Sequence, residues 1–205
     1  LMGIQPLEID LKQIGGRRIW MVRKYNGPRP LSMQRFSENI LKIDSRSGRV
    51  KIGIHNYYTP IFLSSQSARK ADVILSLNLE KYLEGVLIGE MPSHWPLEAL
   101  KAQAIAARSY AVSQIGNRAG EIFQLEGDVL DQVYSLAHTT PALERVQLAL
   151  SQTENQILIQ DARIIKAYYH SDCGGQTEEP QNVWGGAERS LGTVSDKRCA
   201  LRSNW

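Results

Sequence analysis

Hydrophobic and polar residues alternate in the first third of the chain, which is the pattern of half-buried β-strands. The alternating segments are residues 7–11, 20–22, 50–54 and 73–77. Glycine, asparagine and serine turn signals separate them, and the segments 28–30 and 64–70 are predicted to be loops. This part of the sequence therefore predicts a small antiparallel β region.

The spacing of apolar residues changes to three and four after Asn78, which indicates a helix with Asn78 as its N-cap. Proline disfavours the α conformation in the residue before it, so Pro92 predicts that this helix ends at about Glu90. The apolar stripe of the helix comprises Leu79, Leu83, Val86 and Leu87.

A second helix follows, with Ser93 as its expected cap and Pro96 in its first turn. Glu90 then lies at a junction between two helices, in a last turn where the helix dipole disfavours a charged carboxylate. Lys101 and Arg108 share one face, either as solvated cations or as groups that bind a ligand. The buried face is predicted to contain Leu97, Leu100, Ala104, Ala107, Ala111 and Ile115.

The C-terminal part combines a loop at 116–131, a short strand at 132–134, a helix and a hairpin. The helix begins at Thr140–Pro141, and the hairpin turns at 161–163 to deliver His170 and Ser171 to its end. Gly174 and Gly175 then predict a tight turn. The helix is expected to bury Leu143, Val146, Ala149 and Leu150. The expected fold class is α+β, with an N-terminal antiparallel β region, a central helix pair that carries Glu90, and a second β region with a histidine and glycine loop.

Composition adds few constraints. The chain has 205 residues, of which 42% are hydrophobic, enough for one domain with or without a smaller lobe. The net charge is +3, and the basic pairs lack interleaved aromatic residues, so nucleic acid is not an expected partner. The basic residues suit a solvated surface or weak attraction to an anionic wall polymer. No run reaches membrane-spanning length and no leader is evident, but a start at Leu1 indicates a fragment or a processed form.

Three ordered segments resemble the signature of the stage II sporulation protein D (SpoIID) family, which includes proteins called amidase enhancers. They are GEMPSHWPLEALKAQAIAARSYA at 89–111, DQVY at 131–134, and YHSDCGGQT at 169–177 with VWG at 183–185. The second resembles a CQVY-type segment and the third a YHSxxGGxT…VWG segment. We therefore expect a SpoIID-like catalytic domain at 72–205 after a β-rich lobe at 1–71.

The resemblance implies a peptidoglycan lytic transglycosylase, a lyase that cleaves glycan strands denuded of stem peptides, with Glu90 as general acid and base. One carboxyl suffices because the muramic 6-hydroxyl attacks the anomeric carbon, whereas other glycosidases need two carboxylates. The alternative is a non-catalytic glycan-binding amidase enhancer. Expected partners are glycan strands and a cell-wall amidase, and the expected location is the cell envelope, after export. Membrane association would require a segment outside this chain. A role in sporulation itself does not follow, since the family extends to non-sporing bacteria.

The resemblance also suggests a set of substrate-binding residues. His170 could instead be a structural surface residue, and Trp184 could belong to the core. The substrate-binding candidates are Lys101, Arg108, Gln132, Tyr169, His170, Ser171, Gly174, Gly175 and Trp184.

Some relatives bind zinc through cysteine and histidine just before the CQVY-type segment. Here Asp131 precedes Gln132, and residues 125–131 contain neither ligand type, so we expect no zinc there and no cofactor. The two cysteines, Cys173 and Cys199, leave three interpretations open: a disulfide, which the resemblance favours, two free thiols, or Cys173 as a nucleophile beside His170.

Overall fold

The fold is described from a computed structural model of the chain. The structure describes residues 7–14, 17–26, 29–36, 40–44, 48–52, 55–58, 60–65, 71–136, 141–185 and 192–200. The chain divides into two compact units, Leu1–Asn78 and Leu79–Trp205. The architecture is α+β, as predicted, with antiparallel strands in the first unit and helices in the second. The predicted division after residue 71 concerns the extent of the family-like segment and stays a prediction.

The first unit consists of antiparallel strands in small sheets. Its strands are β1 (Leu7–Ile14), β2 (Arg17–Asn26), β3 (Arg29–Phe36), β4 (Ile40–Ile43), β5 (Arg49–Ile52), β6 (His55–Tyr58), β7 (Ile61–Ser65) and β8 (Ala71–Leu75). The sheet orders are β1-β2-β3, β4-β7-β8 and β5-β6. The core described for this unit comprises Leu41, Ile43, Ile61 and Leu63. These four residues sit at alternate positions of β4 and β7 and therefore face one side of their sheet.

The alternating patterns found β1, β2, β5 and β8, but the sequence analysis missed the other four strands. The loop predicted at 28–30 is wrong, because Arg29 and Pro30 lie in β3, and the loop predicted at 64–70 begins too early, because Ser64 and Ser65 lie in β7. Pro30 is accommodated because β3 is at the edge of its sheet and the register shifts beside Tyr25, its partner in β2. Gly15, Gly16, Gly27, Pro28, Ile54 and residues 66–70 lie outside the described residues.

The second unit is a group of packed helices followed by short strands and turns. Its elements are α1 (Leu79–Glu90), α2 (Leu97–Asn117), α3 (Pro141–Gln152), β9 (Ile159–Gln160), β10 (Arg163–Ile164), α4 (Pro180–Trp184) and α5 (Lys197–Ala200). Its core comprises Leu83, Val86, Leu87, Ala104, Ala107, Val146 and Leu150. The alanines of α2 leave room for α1 and α3 to pack closely against it.

The ends of α1 and α2 set the position of Glu90. Helix α1 ends at Glu90, as Pro92 predicted, and its last turn is completed by a hydrogen bond from Met91 N to Leu87 O. The prediction of Ser93 as the cap of α2 is wrong. Pro96 is the N-cap, because its carbonyl accepts from the N–H groups of Ala99 and Leu100 while its own ring nitrogen needs no partner.

The rest of this unit agrees with the sequence in outline. The hairpin forms with strands of two residues, and Asp161 and Ala162 both have positive φ, as a two-residue hairpin turn requires. The predicted strand at 132–134 is wrong, since these residues are irregular and bond to α1 and to the preceding loop. Among the described residues, no helix combines the length and apolar character needed to cross a membrane.

Candidate functional site

Glu90, the last residue of α1, is held by donors from two distant segments. Its Oε1 accepts a hydrogen bond from the backbone N–H of Val133 at 2.7 Å and one from the Tyr169 hydroxyl at 3.4 Å. Its other oxygen, Oε2, has no hydrogen-bond donor within the described part of the chain. The carboxylate is thus oriented through one oxygen while the second can receive a ligand.

Two glycines explain why residues 133–135 can lie directly on α1. A Cβ added at Gly89 would stand 2.4 Å from the carbonyl oxygen of Val133, and one at Gly85 would stand 2.2 Å from the ring of Tyr134. Ser135 also donates its N–H to the Gly85 carbonyl at 3.0 Å. The four-residue spacing puts both glycines on one face of the helix, so the backbone can approach closely enough to reach Glu90.

A buried chain of hydrogen bonds ends at the same carboxylate. The Tyr82 hydroxyl donates to Gln132 Oε1 at 3.1 Å, and Gln132 Nε2 donates to the Tyr169 hydroxyl at 2.9 Å and to the Ala107 carbonyl at 3.3 Å. The Tyr169 hydroxyl in turn donates a hydrogen bond to Glu90. Because Gln132 is fully buried, it acts here as a link between tyrosines and not as a surface that contacts a ligand. We call Tyr82, Gln132 and Tyr169 the relay.

The electrostatics of the relay keep its hydroxyls protonated. Burial, with a smaller contribution from the charge of Glu90, raises the pKa of Tyr169 well above its ordinary value. Burial likewise raises the pKa of Tyr82. Both phenols therefore remain hydrogen-bond donors across the physiological pH range.

Gln103 supplies a spare donor beside the relay. Its side chain lies near the Tyr169 hydroxyl, and its buried Nε2 has no hydrogen-bond partner among the residues described. A buried amide left unpaired is costly unless a ligand or water completes it. Gln103 therefore belongs to the buried polar surroundings of Tyr169, and it lies within the 89–111 motif.

Asp131 organises the loop between α2 and the relay. Its carboxylate is fully buried and accepts hydrogen bonds from Tyr110, Gln114, Arg118 and the backbone N–H of Glu126, at 2.6 to 2.9 Å. Burial raises the pKa of Asp131, but these four donors outweigh it, so the pKa lies below its ordinary value. The ion pair between Arg118 and Asp131 thus helps to hold this loop in place.

The Arg108 side chain is buried and paired inside the protein. Its side chain is only 2% exposed, and two of its nitrogens bind the Glu80 carboxylate at 2.8 Å each. The third nitrogen donates to the carbonyls of Ala104 and Gln156, at 3.5 and 3.2 Å. Since all of these donors are used inside the protein, Arg108 joins α1, α2 and the segment after α3, and its role as a substrate contact stays a prediction.

Apart from Gln132, the other predicted site residues that the structure describes are not buried as Arg108 is. Lys101 binds Glu98 on the surface of α2 at 2.7 Å, and nothing in the described contacts joins it to Glu90. His170 and Ser171 are exposed and directly follow Tyr169, the residue that contacts Glu90. The glycine turn forms as predicted, with φ values of 63° at Gly174 and 106° at Gly175. The Trp184 side chain lies outside the described residues.

The two cysteines lie close together near this loop. No disulfide joins them in this structure, and the ligand atoms of Asp172, Cys173 and Cys199 all lie within 4.8 Å of one another. The disulfide and the two other interpretations stay predictions. The geometry establishes only that the two sulfurs share one surface site.

The sequence analysis missed Tyr82, Gly85 and Gly89 as well as Gln103. Two glycines spaced by four inside a helical pattern are a signal of close backbone approach, and they could have been recognised. Tyr82 offered no such signal, because its role depends on stacking against Tyr134, at 5.8 Å between ring centroids, and on reaching Gln132, 50 residues further along the chain.

Comparisons with known proteins agree on one family. A family profile described as Stage II sporulation protein, SpoIID, matches residues 67–159. The chain is 38% identical over 104 residues to the Amidase enhancer of Bacillus subtilis, covering 50% of this chain and 13% of that protein. It is 32% identical over 135 residues to Stage II sporulation protein D of the same organism, covering 58% of this chain and 38% of the relative.

A further match is an uncharacterised protein of Brachyspira hyodysenteriae. That match is 33% identical over 165 residues, covering 80% of this chain and 44% of the relative. The chain thus spans less than half of the length of each of these curated relatives.

Proposed function

The chain belongs to the stage II sporulation protein D family through residues 67–159, and on this basis we propose that it is a lytic transglycosylase of peptidoglycan. In this proposal it cleaves the glycan strand, with strands denuded of stem peptides as the preferred substrate. Glu90 acts as both general acid and general base. The products carry 1,6-anhydro-muramyl ends.

The observation that supports this proposal best is the way the relay holds Glu90. Oε1 of Glu90 accepts hydrogen bonds from Val133 and Tyr169, and Oε2 has no donor in the described part of the chain. Hydrolysis by two carboxylates would require a partner for Glu90, whereas intramolecular transfer within the sugar requires only one group.

The reaction follows from one proton donor that changes roles. Glu90 first gives its proton to the glycosidic oxygen as the bond from that oxygen to the anomeric carbon breaks. The 6-hydroxyl of the same muramic sugar then attacks the anomeric carbon and returns its proton to Glu90. A new bond closes the anhydro ring, and the carboxyl is restored without a water molecule being consumed.

Substrate contacts would come from groups with unused bonding capacity around the carboxylate. The exposed His170 and Ser171 directly follow Tyr169, the tyrosine that contacts Glu90. The turn at Gly174 and Gly175 lets backbone approach a sugar closely. Lys101 and Trp184 remain proposed substrate contacts on the basis of the sequence resemblance.

A second function is favoured by the name of one relative. Because the matched protein of Bacillus subtilis is called an amidase enhancer, this chain could bind glycan and stimulate a cell-wall amidase without cleavage. In both cases the substrate or partner lies in the bacterial cell envelope. We propose that location for the protein, with a glycan strand as its partner in either case.

The deciding experiment is cleavage of purified glycan strands, with and without stem peptides, by the chain and by Glu90→Gln. We expect anhydro-muramyl products by mass spectrometry, more from denuded strands, and a loss of at least about a hundredfold in Glu90→Gln because the acid and base is removed. Glu98→Gln is the matched control, since Glu98 is 80% exposed and pairs only with Lys101 in the described contacts.

The outcomes separate the two functions. Turnover by Glu90→Gln equal to that of the unmodified chain would show that another group does the chemistry. Binding of glycan with no product from either substrate, together with faster hydrolysis by an added cell-wall amidase, would support the enhancer instead.

A further inference from the structure

Asp172, Cys173 and Cys199 form a surface cluster to which the proposed reaction assigns no role. Their ligand atoms, one carboxylate oxygen and two sulfurs, lie within 4.8 Å of one another. Two of the residues are adjacent in sequence and the third comes from α5. A site assembled from two separate segments needs some structure that holds those segments together.

Backbone hydrogen bonds provide that structure. Gln176 and Ser195 form an antiparallel bridge, Thr177 N donates to Val194 O at 2.9 Å, and Asp196 N donates to Gly175 O at 2.8 Å. These bonds lie between Cys173 and Cys199 along both segments. The two sulfurs are therefore brought together by the fold itself.

The carboxylate is also oriented. Asp172 Oδ1 accepts the N–H of Gly174 at 2.8 Å, in a turn where Gly174 has a φ of 63°. This bond occupies only one of the two carboxylate oxygens. All three side chains are partly or fully exposed, so an ion can reach them from solvent.

From this donor set we propose that Asp172, Cys173 and Cys199 bind a zinc ion. Two thiolates and one carboxylate are ligands that zinc accepts in tetrahedral geometry, whereas calcium and magnesium select oxygen ligands alone. Zinc–sulfur bonds of about 2.3 Å put two ligand sulfurs about 3.8 Å apart, which is compatible with ligand atoms that all lie within 4.8 Å of one another. Water would fill the fourth position.

The ion would fasten the histidine and glycine loop to the C-terminal segment. This site is separate from residues 125–131, where the sequence predicts that zinc ligands are missing, and it revises the expectation that the chain binds no metal. The zinc proposal does not depend on Glu90, so its failure and the failure of the proposed reaction can be distinguished. Both thiols must lose protons when the ion binds.

The test is titration of the fully reduced chain with Co²⁺ and then Zn²⁺, with both free thiols first verified by alkylation and intact mass. We expect near-ultraviolet thiolate-to-cobalt absorption and visible bands of a tetrahedral site at one ion per chain, removed by one equivalent of Zn²⁺. Cys173→Ser, Cys199→Ser and Asp172→Asn should each weaken binding more than tenfold. Glu178→Gln, which removes an exposed carboxylate nearby, should not change it.

Absence of the thiolate-to-cobalt absorption in the reduced chain would overturn the proposal without any variant. Zinc retained at one equivalent by the Cys173→Ser, Cys199→Ser double variant would also overturn it, because the ion would then lie elsewhere. Circular dichroism of each variant identifies any loss of binding that comes from unfolding. If folded Asp172→Asn binds the ion as tightly as the unmodified chain does, the carboxylate is not a ligand and the proposed three-residue site is wrong.

Discussion

At the scale of single residues, the site depends on how one carboxylate is held. Glu90 receives hydrogen bonds from Val133 and Tyr169, and Tyr169 is itself fixed by Gln132. The hydrogen bonds all point in one direction, from Tyr82 through Gln132 and Tyr169 to Glu90. Each hydroxyl and the amide of the relay therefore has a hydrogen-bond partner. The relay therefore positions Glu90 without adding a second charged group.

The role of Tyr169 is tested by Tyr169→Phe, which removes the hydroxyl and keeps the ring. We expect kcat on glycan strands to fall by about tenfold to a hundredfold with KM nearly unchanged, because the carboxylate loses a positioning contact and the substrate loses none. Tyr134→Phe is the control, as its hydroxyl is absent from the bonds of the relay. A change in KM alone would instead indicate direct substrate binding by Tyr169.

Arg108 shows how a residue of the family-like motif can serve the fold. Spacing along α2 predicted only which face it shares with Lys101. Its burial and its paired contacts with Glu80, which is 41% exposed, could not be read from that spacing. Removing one partner of such a pair leaves the other unsatisfied, so the contacts of Arg108 contribute to holding α1 and α2 together.

At the scale of elements, the helices were the most predictable part. The predicted stripe of α3 is buried, and that of α1 is buried except for Leu79, which is partly buried, while Pro92 marks the end of α1. In α2, Ile115 was expected on the buried face but is 42% exposed. The long irregular segment after α2 was predictable only as a loop. Its conformation depends on Asp131, whose four donors come from α2 and from the loop itself.

Asp131→Asn should lower the free energy of unfolding by about 2–4 kcal/mol at neutral pH, because a buried charge-assisted network loses its charge. The pKa of Asp131 is lowered in the folded protein. Its charge therefore stabilises the fold fully above its ordinary pKa of 3.8, and this stabilisation is lost as the pH falls below that value. The difference between the two proteins in urea denaturation should therefore be constant from about pH 5 to 7 and shrink below about pH 4.

Asp128→Asn is the control for this loop, because its exposed carboxylate bonds only to the Leu130 N–H in the described contacts. It should leave the free energy of unfolding within about 0.5 kcal/mol of the unmodified chain. A stability difference for Asp131→Asn that stays the same down to pH 2 would mean that the charge of Asp131 does not contribute.

At the scale of the whole molecule, each of the two units has its own core. The core of Leu1–Asn78 is built on β4 and β7, and that of Leu79–Trp205 on the three long helices. The Glu90 site, the relay and the cysteine cluster all belong to the second unit. This arrangement suggests that the second unit needs only its own residues to form these features.

We accordingly predict that residues 79–205, expressed alone, fold and unfold in one cooperative thermal transition. Leu87→Ala in this fragment should lower its free energy of unfolding by about 2–5 kcal/mol, because Leu87 is fully buried in the helical core. A fragment with no cooperative transition, or one that is insensitive to Leu87→Ala, would show that the first unit is required. Circular dichroism and calorimetry provide the measurements.

The sequence by itself determined the periodic elements, the α+β class, the family and the special position of Glu90. Apolar spacing and proline act locally, so α1, α3 and the glycine turn could be predicted, whereas the strands with weak alternation, such as β3 and β6, could not. Only the tertiary structure decided that Arg108 is buried, that Gln132 links two tyrosines, and that Cys173 meets Cys199. These facts depend on contacts between residues far apart in the chain, and no local pattern encodes which of two polar faces will be covered.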